Sequence, residues 1–341
     1  MRMEIKRKKL IIIISLSLVV IASVIIPVIL IIAKSSFNTA ELGQINIGGE
    51  AFDVDIEGNL AFVVNTSDDG SGGLVIINIS DPTHPIIVGS YHQSNSAFSV
   101  EVVGEFAYLA NPNVGLEVLN VSDPTNPVKI EQYTGSGEIY DVQVIGEIAY
   151  ITDWSNGLIL LNISDPLHVS VISSYNTPGA CLHVHVDNGI ACIIDHYSSY
   201  SALRLVNVSN PQSLVPLSYH APANVDFWNP FIYQNKIYTA NHGTNGGDLR
   251  IFDISDPSVI SPISTYDDGG FINSYFIESN LVYMADYENG LKVIDTTDIT
   301  NPRLIARYFD GGHSIEVVVV GDIAYVADHA DGLEIIKIQN L

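Results

Sequence analysis

The chain has 341 residues, of which 15% are charged, and 14 Lys/Arg against 38 Asp/Glu give it a formal net charge of −24. Past residue 34 the balance is 8 basic to 37 acidic residues, which repels nucleic acid and anionic membrane surfaces and excludes nucleic acid as a partner. Such a charge keeps an exported domain solvated and can attract cations or a basic partner. Two cysteines, Cys181 and Cys192, are too few for a disulfide framework and are expected as free thiols.

The chain opens with a basic segment, residues 1–9 ("MRMEIKRKK"), followed by Leu10–Ala33, 24 residues without a charge, and then Lys34. About 20 apolar residues cross a bilayer as a helix, and Pro27 is tolerated in such a helix. The apolar run is too long for a signal-peptide core, and no A-x-A cleavage site follows it. The expected order is a cytoplasmic segment over 1–9, a transmembrane anchor over 10–33, a linker over 34–43 and a propeller over 44–341. The Lys6–Lys9 cluster stays inside, which makes this a single-pass cell-membrane protein with an extracellular C-terminal domain.

Beyond the anchor the sequence repeats. Asp81, Asp123, Asp165, Asn210, Asp256 and Asp298 mark Asp-Pro-type turns spaced by 42, 42, 45, 46 and 42 residues, and Asn340 follows 42 later. A period in the forties signals a stacked or circular array. In the third unit the pattern predicts strands over Asp141–Val144, Ile148–Asp153, Leu158–Ile163 and Val169–Tyr175, the first pair joined by a turn at Gly146-Glu147. Asp-Pro suits the turn because proline presets φ and Asp bonds the nearby backbone. Gly73, Gly115, Gly157, Gly290 and Gly332 stand where a loop re-enters a strand and are expected to need positive φ. The second and third strands ("IAYIT", "LILLNI") are nearly unbroken apolar runs, as in sheets covered on both faces. Radial blades meet that need. The last unit stops after its third strand. The segment around Gly43–Ile47, which aligns with the fourth strand of the next unit, can complete it. The reading is an all-β, seven-bladed β-propeller whose N-terminal strand closes the last blade.

Each unit carries a related pentapeptide: "LVIIN" at 74–78, "LEVLN" at 116–120, "LILLN" at 158–162, "LRLVN" at 203–207, "LRIFD" at 249–253, "LKVID" at 291–295 and "LEIIK" at 333–337. With the phased Gly-Leu and Asp-Pro signals, these units resemble the LVIVD repeat family of exported prokaryotic propellers. The resemblance implies a surface or periplasmic binding platform and brings no catalytic residues with it.

Two sets of equivalent residues fall at one end of the predicted channel. The first, at the start of each inner strand, is Asp53, Ser99, Asp141, His183, Asn229, Ser274 and Glu316. The second, ending each second strand, is Asn65, Asn111, Asp153, Asp195, Asn241, Asp286 and Asp328. Asp and Asn bond backbone amides in tight turns, so the second set reads as framework. The residue after it varies (Thr66, Pro112, Trp154, His196, His242, Tyr287, His329), and variation among similar units is where specificity is written. The candidate binding face is therefore Asp141, Asp153, Trp154, His183, Asp195, His196, Trp228, Asn241, His242, Asp286, Tyr287, Glu316, Asp328 and His329.

His183, His185 and His196 with nearby carboxylates are ligand types for a transition metal, but they lack a ligand spacing. The acidic, Gly-rich loop Asn65–Gly73 lacks the pattern of a calcium loop. No cofactor is expected. Of the glycosylation-type sites at Asn65, Asn78, Asn120, Asn162 and Asn207, the last four recur at the repeat's own turn and read as folding signals. Asn65 is expected to be the most exposed. G-x-S-x-G, H-E-x-x-H and P-loop patterns are absent. The favoured function is a membrane-tethered platform that binds a protein or glycan outside the cell. The alternative is a hydrolase or lyase using His183 with Asp141 or Asp195, with or without a metal.

Overall fold

A computed structural model describes residues 37–66, 72–93, 96–135, 138–197, 200–242, 247–309, 311–329 and 331–340. The expected anchor and most of the Asn65–Gly73 loop lie outside these residues, among which no helix is long and apolar enough to cross a membrane. Chain contacts divide the molecule into two units. One, residues 1–38 with 339–341, has four described residues, all strand ends. The other, Thr39–Ile338, holds seven four-stranded antiparallel sheets. They are the seven blades of a β-propeller: 50–93, 99–133, 139–175, 180–220, 227–270, 274–308 and 314–340, the last completed by Phe37–Ile45.

Blade 3 shows how the sequence builds each unit. Its strands are Ile139–Ile145, Ile148–Asp153, Gly157–Asn162 and Ser170–Tyr175, paired in that order. Adjacent residues of the third strand point to opposite neighbours, which is why the run is apolar throughout. Ile159 and Leu161 pack with Tyr108, Leu116 and Val118 of blade 2, while Leu158 and Leu160 pack with Val184, Ile193 and Val206 of blade 4. A register shift at Leu160/Leu161 twists the outer strand. The same shift falls at Ile76/Ile77 and Leu205/Val206.

Two side-chain caps in series fold the turn between third and fourth strands. Asn162 Oδ1 accepts from Ser164 N–H (3.0 Å), and Asp165 Oδ1 accepts from Leu167 N–H (3.1 Å). Asn78 with Asp81, Asn120 with Asp123, and Asn207 with Asn210 repeat the device. The recurring Asn sites thus serve folding. Asn65 departs from expectation: at 3% exposure it is buried at the end of its strand, with the other members of its set.

The N-terminal strand closes the ring as expected but starts earlier, at Phe37 rather than near residue 44. It pairs with Gly332–Asn340, and Thr39 Oγ1 donates to the Arg307 carbonyl of blade 6 (2.7 Å). At Gly332 φ is +93°, and a Cβ there would collide with the Ile45 carbonyl oxygen, so the closing contact requires glycine. Cys181 and Cys192 are free, buried and on different rungs, opposite Asp195 and His185 respectively.

Candidate functional site: the mouth of the channel

The seven inner strands belong to separate sheets, so main-chain N–H groups that face the next blade need other acceptors. Side chains one repeat earlier supply them. Val100 N–H donates to Asp53 Oδ2 (2.7 Å), Val102 N–H to Asp55 Oδ2 (2.7 Å), and Val184 N–H to Asp141 Oδ2 (2.9 Å). Val186 N–H donates to Gln143 Oε1 (2.6 Å), and Ile232 N–H to His185 Nδ1 (3.1 Å). Ser99 Oγ donates to Asp141 Oδ1 (3.1 Å), and Ser274 Oγ to Glu316. The first polar set therefore stitches blade to blade.

These stitches concentrate five carboxyls in the channel: Asp53, Asp55, Glu101, Asp141 and Glu316. Among the described residues no Lys or Arg forms an ion pair with them. Burial, then the charges of Asp141 and Asp55, pushes the Asp53 carboxyl up to about 7. Burial, with Asp55, Asp53 and Asp141 beside it, pushes Glu101 up to about 9. Burial also raises Asp55, Asp141 and Glu316. The same burial lowers His183 to about 3 and His185 to about 4, so both imidazoles are neutral.

Over these groups opens a cavity of about 540 Å³. Asp53, Ser99, Asp141, His183, Asn229 and Glu316 line it from the first set. The residue before each of these positions lines it too: Phe52, Phe98, Tyr140, Leu182, Trp228 and Ile315, with Asn273 at the seventh position and Trp154 beside them. Phe52, Phe98 and Tyr140 were not singled out from sequence, although an aromatic recurring at four of seven equivalent positions was a signal.

The aromatic lining continues as a girdle around the mouth. Ring centroids step from Trp154 to Tyr140 (5.5 Å), Phe98 (5.9 Å), Phe52 (5.1 Å) and His329 (5.9 Å). They continue through His313 (6.2 Å), Tyr287 (4.3 Å, stacked), Phe271 (6.2 Å), His242 (3.8 Å) and Trp228 (5.3 Å). Trp228 then meets His183 at 4.7 Å and His196 at 5.3 Å, both edge-on. All seven blades contribute.

The sequence pattern typical of LVIVD repeats matches residues 48–93, 95–135, 136–177, 242–268, 274–310 and 311–341. The chain belongs to the LVIVD repeat family. The long stretch left unmatched within the propeller, 178–241, is blade 4 with the first two strands of blade 5, and it carries His183, His185, His196 and Trp228. No curated protein matches this LVIVD chain in sequence. Solved structures match it in shape at low identity. They include the WD40 repeats of RRP9 (TM-score 0.67, 9% identity, 88% of this chain and 97% of that one). A protein from Lactobacillus plantarum also matches (0.63, 12%, 85% and 88%), as does the computationally designed Ika8 protein (0.60, 10%, 87% and 99%). At such identities the likeness establishes the fold alone.

Within this LVIVD propeller the second polar set is framework, as its turn chemistry predicted. Asp153, Asp195, Asn241, Asp286 and Asp328 are buried. Asp286 Oδ1 accepts from Phe271 N–H (2.7 Å), Asp328 Oδ1 from His313 N–H (2.9 Å), and Asn241 Oδ1 from Asp226 N–H (3.0 Å). Each of these ties a hairpin to the loop entering its blade. Asp195 accepts from Gly179 N–H, Tyr197 O–H and Arg204 Nε–H (2.7, 2.8 and 2.6 Å), which commits it to holding its own blade together. Lys292 pairs with Asp286. Of the candidate face, Asp141, Trp154, His183, Trp228 and Glu316 line the cavity, and His196, His242, Tyr287 and His329 belong to the girdle.

His183, His196 and His242 do gather, but around the Trp228 indole rather than around a common open point. Nε2 of His183 and of His196 is buried without a hydrogen-bond partner. His196 Nδ1 faces Asp226 (3.1 Å), His242 Nε2 faces the Ile272 carbonyl (2.5 Å), and His183 Nδ1 stands 3.9 Å from Asp141. Among the described residues no group of three or more His, Cys, Asp or Glu is arranged to hold a metal ion.

Proposed function

We propose that this LVIVD propeller is a binding module, tethered by its N-terminal apolar segment and displaying the channel mouth outside the cell to a protein partner. One observation carries the reading: a roughly 540 Å³ cavity walled by aromatic rings from several blades, in which Asp53 and Asp141 are already committed to backbone stitching. Such a surface offers rigid apolar area with few free polar groups, which is how recognition pockets are built. The histidines face an indole, a carbonyl and a carboxylate instead of a reacting centre, and so favour binding over hydrolysis.

The reading is tested by capture from envelope extracts with the full-length chain in a neutral detergent. Tyr140→Ala is expected to abolish capture of a protein. Val320→Ser, at an exposed position on the first hairpin of blade 7, is expected to leave capture intact. Capture that ignores Tyr140, or that retrieves only glycan, overturns the proposal.

A further inference from the structure

We propose that the channel mouth is a receptor for an organic cation: the ammonium or guanidinium head of a lysine- or arginine-like group. The head sits over Asp53, Asp141 and Glu316, and the alkyl stem lies between Phe98, Tyr140 and Trp228. The proposal rests on the binding-module reading and specifies its ligand.

The cavity joins two features that each select for such a group. Its wall presents aromatic faces, whose negative quadrupole attracts a cation and whose apolar area accepts a methylene stem. Its deeper lining is acidic and has no Lys or Arg, and the one imidazole there, His183, is neutral. An anionic ligand would meet Asp53, Asp141 and Glu316, with Asp55 and Glu101 beyond them. A neutral ligand would gain no charge pairing from these carboxyls. A small hard metal ion wants several free oxygens at short range, whereas Asp53 and Asp141 already accept from backbone N–H groups. An organic cation needs no such oxygen shell, because its N–H groups hydrogen-bond to single carboxyl oxygens and its charge also meets the aromatic faces. The protein's overall negative charge draws the same ligand toward the mouth.

The arrangement couples binding to protons. Asp53 lies near Asp55 on its own strand and near Glu101, Asp141 and Glu316 of other blades, with neutral His183 beside Asp141. Burial and mutual repulsion raise all five above the usual carboxylate range, Asp53 to about 7 and Glu101 to about 9. A bound cation favours their ionised form, so protons leave as the ligand enters.

The chain's two tryptophans, Trp154 and Trp228, both line the cavity, so intrinsic fluorescence reports on the mouth directly. The full-length chain in neutral detergent is titrated with n-butylguanidinium, n-butylammonium and acetyl-Gly-Arg-Gly-amide, and with n-butylurea and pentanoate as neutral and anionic counterparts. The cations are expected to shift the emission, to bind about tenfold more tightly at pH 8.5 than at pH 5.5, and to release protons measurable by calorimetry in buffers of different ionisation enthalpy. Glu316→Gln and Asp53→Asn, each checked for an intact melt, are expected to weaken binding about tenfold. Tighter binding of the peptide than of n-butylguanidinium assigns the cation to a protein side chain, and equal binding assigns it to a free small molecule. Butylurea or pentanoate binding as well as the cations, or no response to any cation in either folded variant or wild type, overturns the proposal. If envelope capture still depends on Tyr140 in that case, the binding-module reading survives; if capture ignores Tyr140, both fall.

Discussion

Asp53→Asn should reverse the sign of its effect on stability between acid and alkaline pH. The Asp53 carboxyl is raised from 3.8 to about 7 in the folded chain. A group raised on folding contributes stability that is fully present below its unfolded value, near pH 4, and lost as pH climbs through about 7. At about 1.4 kcal/mol per pH unit the gross loss is roughly 4 kcal/mol. Asp53 borders the open cavity and interacts with Asp55, Glu101, Asp141 and Glu316. Screening and this interaction cut its own part to about 2 kcal/mol. Asparagine removes that loss but turns an N–H toward Val100 N–H or Val54 N–H, where the carboxyl accepts both at 2.7 Å. One hydrogen bond is forfeited, about 1 kcal/mol. The variant should therefore be about 1 kcal/mol less stable than the wild type at pH 4.5 and about 1 kcal/mol more stable at pH 9. Urea unfolding followed by tryptophan fluorescence at both pH values measures this. Equal destabilisation at the two pH values would refute the picture of proton-holding channel acids.

Deleting the chain through Ile45 strips the fourth strand from blade 7 and uncovers the core that Leu42 and Ile45 pack against. The expected loss of about 4 kcal/mol should lower the melting temperature by about 10 °C in a calorimetric scan. Gly332→Ala should cost about 2–3 kcal/mol, because strain at φ +93° adds to collision with Ile45. Gly104→Ala, at φ +61° with open space around the new Cβ, should cost only about 1 kcal/mol in the same denaturant assay. Arg204→Ala leaves Asp195, which has no solvent exposure, without its cation. It should destabilise by about 3 kcal/mol, and Asp195→Asn added to it should restore part of that in a double-mutant cycle.

The fold could be read from the sequence because its determinants are local and periodic. The Asn162–Asp165 turn, the unbroken apolar strands and positive φ at Gly157 are each set by a few neighbouring residues. The second polar set was legible for the same reason, since an Asx turn is a short-range bond. What escaped the sequence depends on contacts about one repeat away. The bond from Val100 N–H to Asp53 exists only because inner strands of adjacent blades do not pair, which no single unit records. Phe52, Phe98 and Tyr140 pass for ordinary strand-entry hydrophobics until the ring brings them together. The early start of the closing strand was missed because "FNTAE" lacks an apolar alternation. Asn65 was misplaced because its acidic, glycine-rich neighbours suggested a surface loop, whereas the strand end holding it is buried.

The blade-to-blade stitches divide the channel mouth into a fixed layer and a free one. A change at position 53 or 141 loosens the joint between two blades. A change at 98 or 140, one residue upstream of a stitch position, alters chiefly what the opening admits, whereas Phe52 and Trp228 also pack against the core. Evolution can therefore revise the selectivity of this opening blade by blade while the torus beneath it stays intact, and a protein engineer can begin from positions 98 and 140.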